Sequence, residues 1–140
     1  METGTMGRVT VGATIENLED LWAVKRGLIP ADQARRVVVS DTLVDPAIAL
    51  PSLPRHLVRR LGLARTSSGR GGVEAMGGYR AVRLTIRGRS RTTEVREGPE
   101  DSVPTIGHLA LTNLDFVVDP HGLTLIGNPA HGGEQMYELY

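Results

Sequence analysis

The stretch Leu43-Val44-Asp45-Pro46-Ala47-Ile48-Ala49-Leu50-Pro51-Ser52-Leu53-Pro54 constrains this chain more than any other. The apolar-rich stretch from Val37 to Val44 has the look of a strand and ends on the carboxylate of Asp45. A proline-punctuated apolar segment then leads away into a short basic helix, Arg55 to Leu63, closed by Gly62. A carboxylate left unpaired in an apolar setting is costly. A strand that delivers one at its end therefore points to chemistry before packing, and Asp45 is the first candidate.

At 140 residues the chain suits one domain with one modest core and is too short for two lobes. An apolar content of 40% against 23% charged residues reads as globular, and with only 4% aromatic residues the core has to be aliphatic. Sixteen basic and sixteen acidic residues cancel, which leaves no global field to attract nucleic acid or an anionic membrane. The absence of cysteine excludes a disulfide, a thiol nucleophile and a cysteinyl zinc site. The first residues have neither a basic region nor an apolar run, and no 18-residue apolar stretch occurs. The expectation is a cytoplasmic protein without membrane or nucleic-acid partners. Residues 1–6 read as a flexible tail, with Met6 as an alternative start, and residues 7–140 as one domain.

From Arg8 to Glu16 the chain alternates as a half-buried strand does. Asn17 is placed to cap a helix carrying Leu18, Leu21, Trp22 and Val24, with Trp22 on its apolar face and Gly27 past its end. Pro30 opens one more helical turn. Between Ala64 and Tyr79 the chain is rich in Gly and Ser, a composition of permissive dihedrals. Tyr79 to Arg87 and Ser90 to Arg96 alternate about Gly88 as a hairpin with one wet face. The six arginines between Arg80 and Arg96 lack interleaved aromatics and read as a solvated face. Leu109, Leu111 and Leu114 suit a short helix. Phe116 to Val118 and Leu123 to Ile126 suit a hairpin across Asp119-Pro120-His121-Gly122, and Gln135 to Tyr140 a last strand.

The segment around Asp45 resembles the active-site loop of the retropepsin-like (retroviral-type) aspartic proteases, in which an apolar pair precedes Asp-Thr-Gly-Ala and a Leu-x-Leu-Pro segment follows. Leu43-Val44-Asp45 and Leu50-Pro51-Ser52-Leu53-Pro54 fit without a gap, while Pro46 stands where the family has Thr and Ala47 where it has Gly. The likeness extends to a small microbial branch. Its members begin like Met6 to Val11 and end like Ile106-Gly107-His108-Leu109-Ala110-Leu111 through Leu114 to Pro120 and Asn128 to Glu134.

The resemblance implies a mostly β, single-lobed acid protease barrel with short helices. It also implies a catalytic Asp45 on the loop Pro46, Ala47 and Ile48, packed against Ile106-Gly107, and a flap in the Gly-rich region around Gly71, Gly72, Gly77 and Gly78. That region also reads as a plain surface loop. Leu18 to Arg35 is helical where the retroviral enzymes have a hairpin, and either core packing or the cleft edge would suit it. Because aspartic proteolysis needs two carboxylates sharing a proton around one water, one Asp per chain implies a twofold homodimer. Its substrate would be a peptide or unfolded protein, with no metal or other cofactor. The family Thr bonds across the dimer axis, and Pro46 has neither hydroxyl nor N–H to do so. Ala47 keeps the N–H but adds a methyl at a crowded place with fewer dihedrals open to it. Two readings follow: a weakened endopeptidase, or a non-catalytic relative that binds an extended peptide in the dimer cleft.

Other chemistries find little support. His56, His108, His121 and His131 lack metal-ligand spacing, and no Gly-x-Ser-x-Gly or P-loop occurs. His131 suits a tight turn and Asp119 an ordinary one. Asp41-Thr42 spells two letters of the motif but reads as mid-strand.

Overall fold

The computed structural model describes residues 9–63, 78–119 and 124–132. Strand β1 (Val9–Asn17) buries Val9, Val11, Ala13 and Ile15 and turns Thr10, Gly12 and Thr14 outward, the two-residue period of a strand over a core. Asn17 ends it by capping helix α1 (Leu18–Lys25). Its Oδ1 accepts the Asp20 N–H at 3.0 Å and its Nδ2 donates to the Leu61 carbonyl at 2.8 Å. Past the helix, Gly27 at φ 75° donates to Val24 and Leu28 to Ala23. These crossed bonds need a left-handed residue.

The placement of Trp22 departs from expectation. It is 50% exposed, and the buried residue of α1 is Asp20. The reason is polar anchoring: the Arg35 backbone N–H, Nε and Nη2 reach the Asp20 carboxylate at 2.9, 2.8 and 3.0 Å. The helix is docked by an ion pair, so its aromatic residue is not needed for the core.

A 3-10 turn over Ala31–Gln33 follows Pro30 and leads into β2 (Arg36–Val44), antiparallel to β1 from Glu16 opposite Arg36 to Val9 opposite Val44. Next come β3 (Ser52–Pro54) and helix α2 (Arg55–Leu61), which buries Leu57, Val58 and Leu61 and stops at left-handed Gly62. Strands β4 (Gly78–Ile86) and β5 (Arg89–Gly98) form the expected hairpin. Its two connecting residues, Arg87 and Gly88, both have positive φ, which matches the natural twist of the strands. Then follow β6 (Thr105–Ile106), helix α3 (His108–Leu114), β7 (Phe116–Asp119) and β8 (Thr124–Gly127).

Six strands close a barrel in the order β1-β2-β6-β3-β5-β4, and β7 and β8 pair in a separate small sheet. The chain is thus mostly β, one closed barrel with short helices, and its core is aliphatic: Leu53, Leu61, Leu84, Ile86, Ile106 and Leu114 are essentially buried.

The solvated arginine face is corrected at Arg89, which is buried. Its Nη1 donates to the carbonyls of Leu114 and Asp115 at 3.0 and 2.9 Å, and its guanidinium lies 4.4 Å from the centre of the Phe116 ring. Arg91 donates to Asn113 and Arg87 to Leu125. Arg89 and Arg91 satisfy orphan carbonyls at the end of α3, Arg87 bonds a carbonyl of β8, and together they tie the β4–β5 hairpin to α3, β7 and β8. Among the described residues no helix is long and apolar enough to cross a membrane. The N-terminal tail, Gly71, Gly72, Gly77, the turn residues 120–123 and the last expected strand lie outside the described residues, and Gly78 opens β4.

Candidate active site

Strand order explains where Asp45 goes. β6 lies between β2 and β3, parallel to the first and antiparallel to the second, although β2 and β3 are consecutive in the chain. The segment joining them, residues 45–51, has to pass over the end of β6. Asp45 enters it from β2, held by its own N–H to the Ile106 carbonyl at 2.9 Å.

The crossing is fastened from below by α3. The first N–H groups of a helix have no partner within it, and Gly107, the N-cap, has no side chain to supply one. The carbonyls of the loop do so instead: His108 donates to Ile48 at 2.8 Å and Leu109 to Ala49 at 3.1 Å. Gly107 permits this approach, because a Cβ there would lie 2.5 Å from the Ala49 oxygen and 2.6 Å from that of Ile48. Ile106 and Gly107, the pair that the resemblance sets against the Asp45 loop, are placed directly beneath it.

Within the loop Asp45, Pro46, Ala47 and Ile48 form a turn. Ile48 donates to the Asp45 carbonyl at 3.3 Å, and Ala47 donates to Asp45 Oδ1 at 2.9 Å. Proline suits the second position of such a turn, and an aspartate bonding the amide two residues on is a common way of starting one. Ala47 has a negative φ and is exposed. The crowding expected of its methyl is absent within one chain, and the amide that orients the carboxylate is retained. Asp45 itself is half-exposed, not buried as an apolar setting would have it.

Asp45 opens onto a cleft of about 510 Å³ whose walls include Ile48, Leu50, Ser52, Arg96 and Thr105. Among the described residues it is the sole acidic one of that lining. Asp41 is exposed in mid-strand, and Asp119 ends β7 in the small sheet. His131 sits in a 3-10 turn with Nδ1 2.6 Å from Asp115 Oδ1, away from the cleft lining. Among the described residues no group of three or more His, Asp or Glu gathers as metal ligands would. Sequence reasoning missed Arg96, whose place in the cleft follows from β3–β5 pairing that no local pattern announces.

No family model and no curated protein matches the chain. Among solved structures, it is similar to EIAV protease complexed with the inhibitor HBY-793, at 16% identity over 81% of this chain and 94% of that one, with a TM-score of 0.44. It is also similar to the retroviral protease-like domain of Ddi1 from Leishmania major, at 12% identity over 84% of this chain and 86% of that one, with a TM-score of 0.43.

Proposed function

We propose that the chain is one half of a homodimeric retropepsin-like aspartic endopeptidase. The observation that carries this reading is the Asp45 carboxylate, set at the mouth of an open cleft by the Ala47 amide and a loop fastened to β6 and α3. A single carboxylate in the cleft suffices only if a second copy supplies the other across a twofold axis. One Asp45 then takes a proton from a water whose oxygen attacks the peptide carbonyl carbon. The other, protonated, gives its proton to the carbonyl oxygen. The C–N bond of the tetrahedral intermediate then breaks as the first Asp45 passes the water's proton to the nitrogen, which leaves as the amine, and the second takes back a hydroxyl proton as the carboxyl product forms. No cofactor takes part.

Pro46 favours a second reading, a relative that binds extended peptides without cutting them, since it offers neither hydroxyl nor N–H across the axis. One experiment separates the two. Wild type, Asp45→Asn and the doubly restored Pro46→Thr/Ala47→Gly protein are incubated with an unstructured protein between about pH 3 and 7, the range that brackets carboxylate titration. Cleavage by wild type that vanishes in Asp45→Asn supports the endopeptidase. Cleavage by neither wild type nor the restored protein, with peptide binding by fluorescence anisotropy, supports the binding relative. Neither cleavage nor binding overturns both.

A further inference from the structure

Among the described residues, the cleft lining contains one charged residue besides Asp45, Arg96. Strand register places it. Leu43 lies opposite Thr105, Thr105 opposite Ser52, and Ser52 opposite Arg96, a single row across β2, β6, β3 and β5. Neighbours in such a row share a face, and alternate residues Val44, Ile106, Leu53 and Val95 point into the core. The row and Asp45 therefore look out on the same side. With strands about 4.8 Å apart, Arg96 stands about 14 Å along the row from Leu43. Its own N–H is fixed to the Pro51 carbonyl at 2.8 Å, where the Asp45 loop ends.

Arg96 is exposed, and among the described residues it has no ion-pair partner. The adjacent Glu97 is held by Arg55 at 2.7 Å. Its register neighbour Ser52 brings a hydroxyl to the same lining. A Cβ at Gly98 would lie 2.7 Å from Ser102 Oγ and 3.1 Å from Ser52 Oγ, so glycine there lets both hydroxyls close in over β5. Ser102 donates to Pro99 at 2.8 Å, whereas Ser52 Oγ has no protein partner among the described residues and is left as a donor. A planar guanidinium beside a hydroxyl donor is suited to a carboxylate.

We infer that Arg96 and Ser52 form an acid-selecting subsite of the cleft, which takes a Glu or Asp side chain of the bound peptide to one side of Asp45. This rests on the peptide-cleft reading and names its substrate class, peptides with an acidic residue near the bond held at Asp45.

The test uses two independent arms. In the first, N-acetylglutamate amide is titrated into ¹⁵N-labelled protein. It shifts the Ser52 and Arg96 amide signals, N-acetylglutamine amide does not, and Arg96→Ala removes the response. In the second, Asp45→Asn protein, used so that no peptide is consumed, binds C-terminally amidated peptides that differ only in carrying Glu, Gln or Lys at one position. The Glu peptide binds about tenfold more tightly, as one charge-assisted hydrogen-bonded pair at a wet site gives. Adding Arg96→Ala brings that ratio to about one, Arg96→Lys keeps part of it, and Arg96→Glu turns the preference toward Lys, as the sign of the charge requires. A Glu preference that survives Arg96→Ala overturns the assignment, as does peptide binding with no Glu preference, which leaves the peptide-cleft reading standing. A glutamate response without binding of any peptide upholds the Arg96 site and sinks the peptide-cleft reading.

Discussion

Gly107 and Ala49 approach each other so closely that a single methyl cannot fit between them: a Cβ on Gly107 would lie 2.5 Å from the Ala49 oxygen. The φ of Gly107 is −95°, open to any residue, so the requirement is steric and not conformational. Gly107→Ala must push the Asp45 loop off the start of α3, breaking the bonds from His108 and Leu109. Overpacking of this kind costs about 1–3 kcal/mol. The expected outcome is a lower urea midpoint, with amide shifts concentrated at residues 45–51.

A buried hydroxyl lies three residues before Asp45. Thr42 is 1% exposed and its Oγ1 has no partner among the described residues. A buried polar atom left unsatisfied destabilises, and replacing it with an apolar group of the same shape removes that cost. Thr42→Val is therefore expected to raise stability by about 1 kcal/mol, read as a higher midpoint at unchanged urea slope.

Much of this was legible in the sequence. The alternation in β1 and the β4–β5 hairpin, the Asn17 cap and the Gly27 and Gly62 stops are local signals, each set by a residue type whose geometry or bonding is needed where it stands. What was not legible depends on partners distant in the chain. Trp22 on a short amphipathic run reads as core, yet Arg35 docks that helix through Asp20. Arg89 reads as one more surface cation, yet its guanidinium caps α3 from a strand 25 residues away. Arg96 reaches the cleft through the β3–β5 pairing that sets it opposite Ser52.

The Asp20–Arg35 pair gives stability a defined dependence on acid. The Arg35 side chain, hydrogen-bonded to Asp20, holds that carboxyl below the usual range against the opposing effect of partial burial. A carboxyl lowered in the folded state contributes its stability above its unfolded value, about pH 4, and loses it as pH falls through the folded value. With the Arg35 side chain half in water, the contribution at neutral pH is about 1 kcal/mol after screening. Asp20→Asn should melt lower than wild type at pH 7, and the gap should close as pH drops below about 4, the ordinary carboxylate value. A gap constant from pH 7 to 2 would remove this account of the pair.

The central claim, that two Asp45 carboxylates from two chains form one hydrolytic site, is tested most directly by mixing. Wild type and Asp45→Asn chains are unfolded together, refolded at fixed total concentration, and assayed for cleavage of an unstructured protein. If both carboxylates are needed, activity follows the square of the wild-type fraction, so an equal mixture retains about a quarter of it, as random pairing in a twofold dimer requires. Activity that falls in proportion to the wild-type fraction, or a wild type that cleaves nothing, would contradict it.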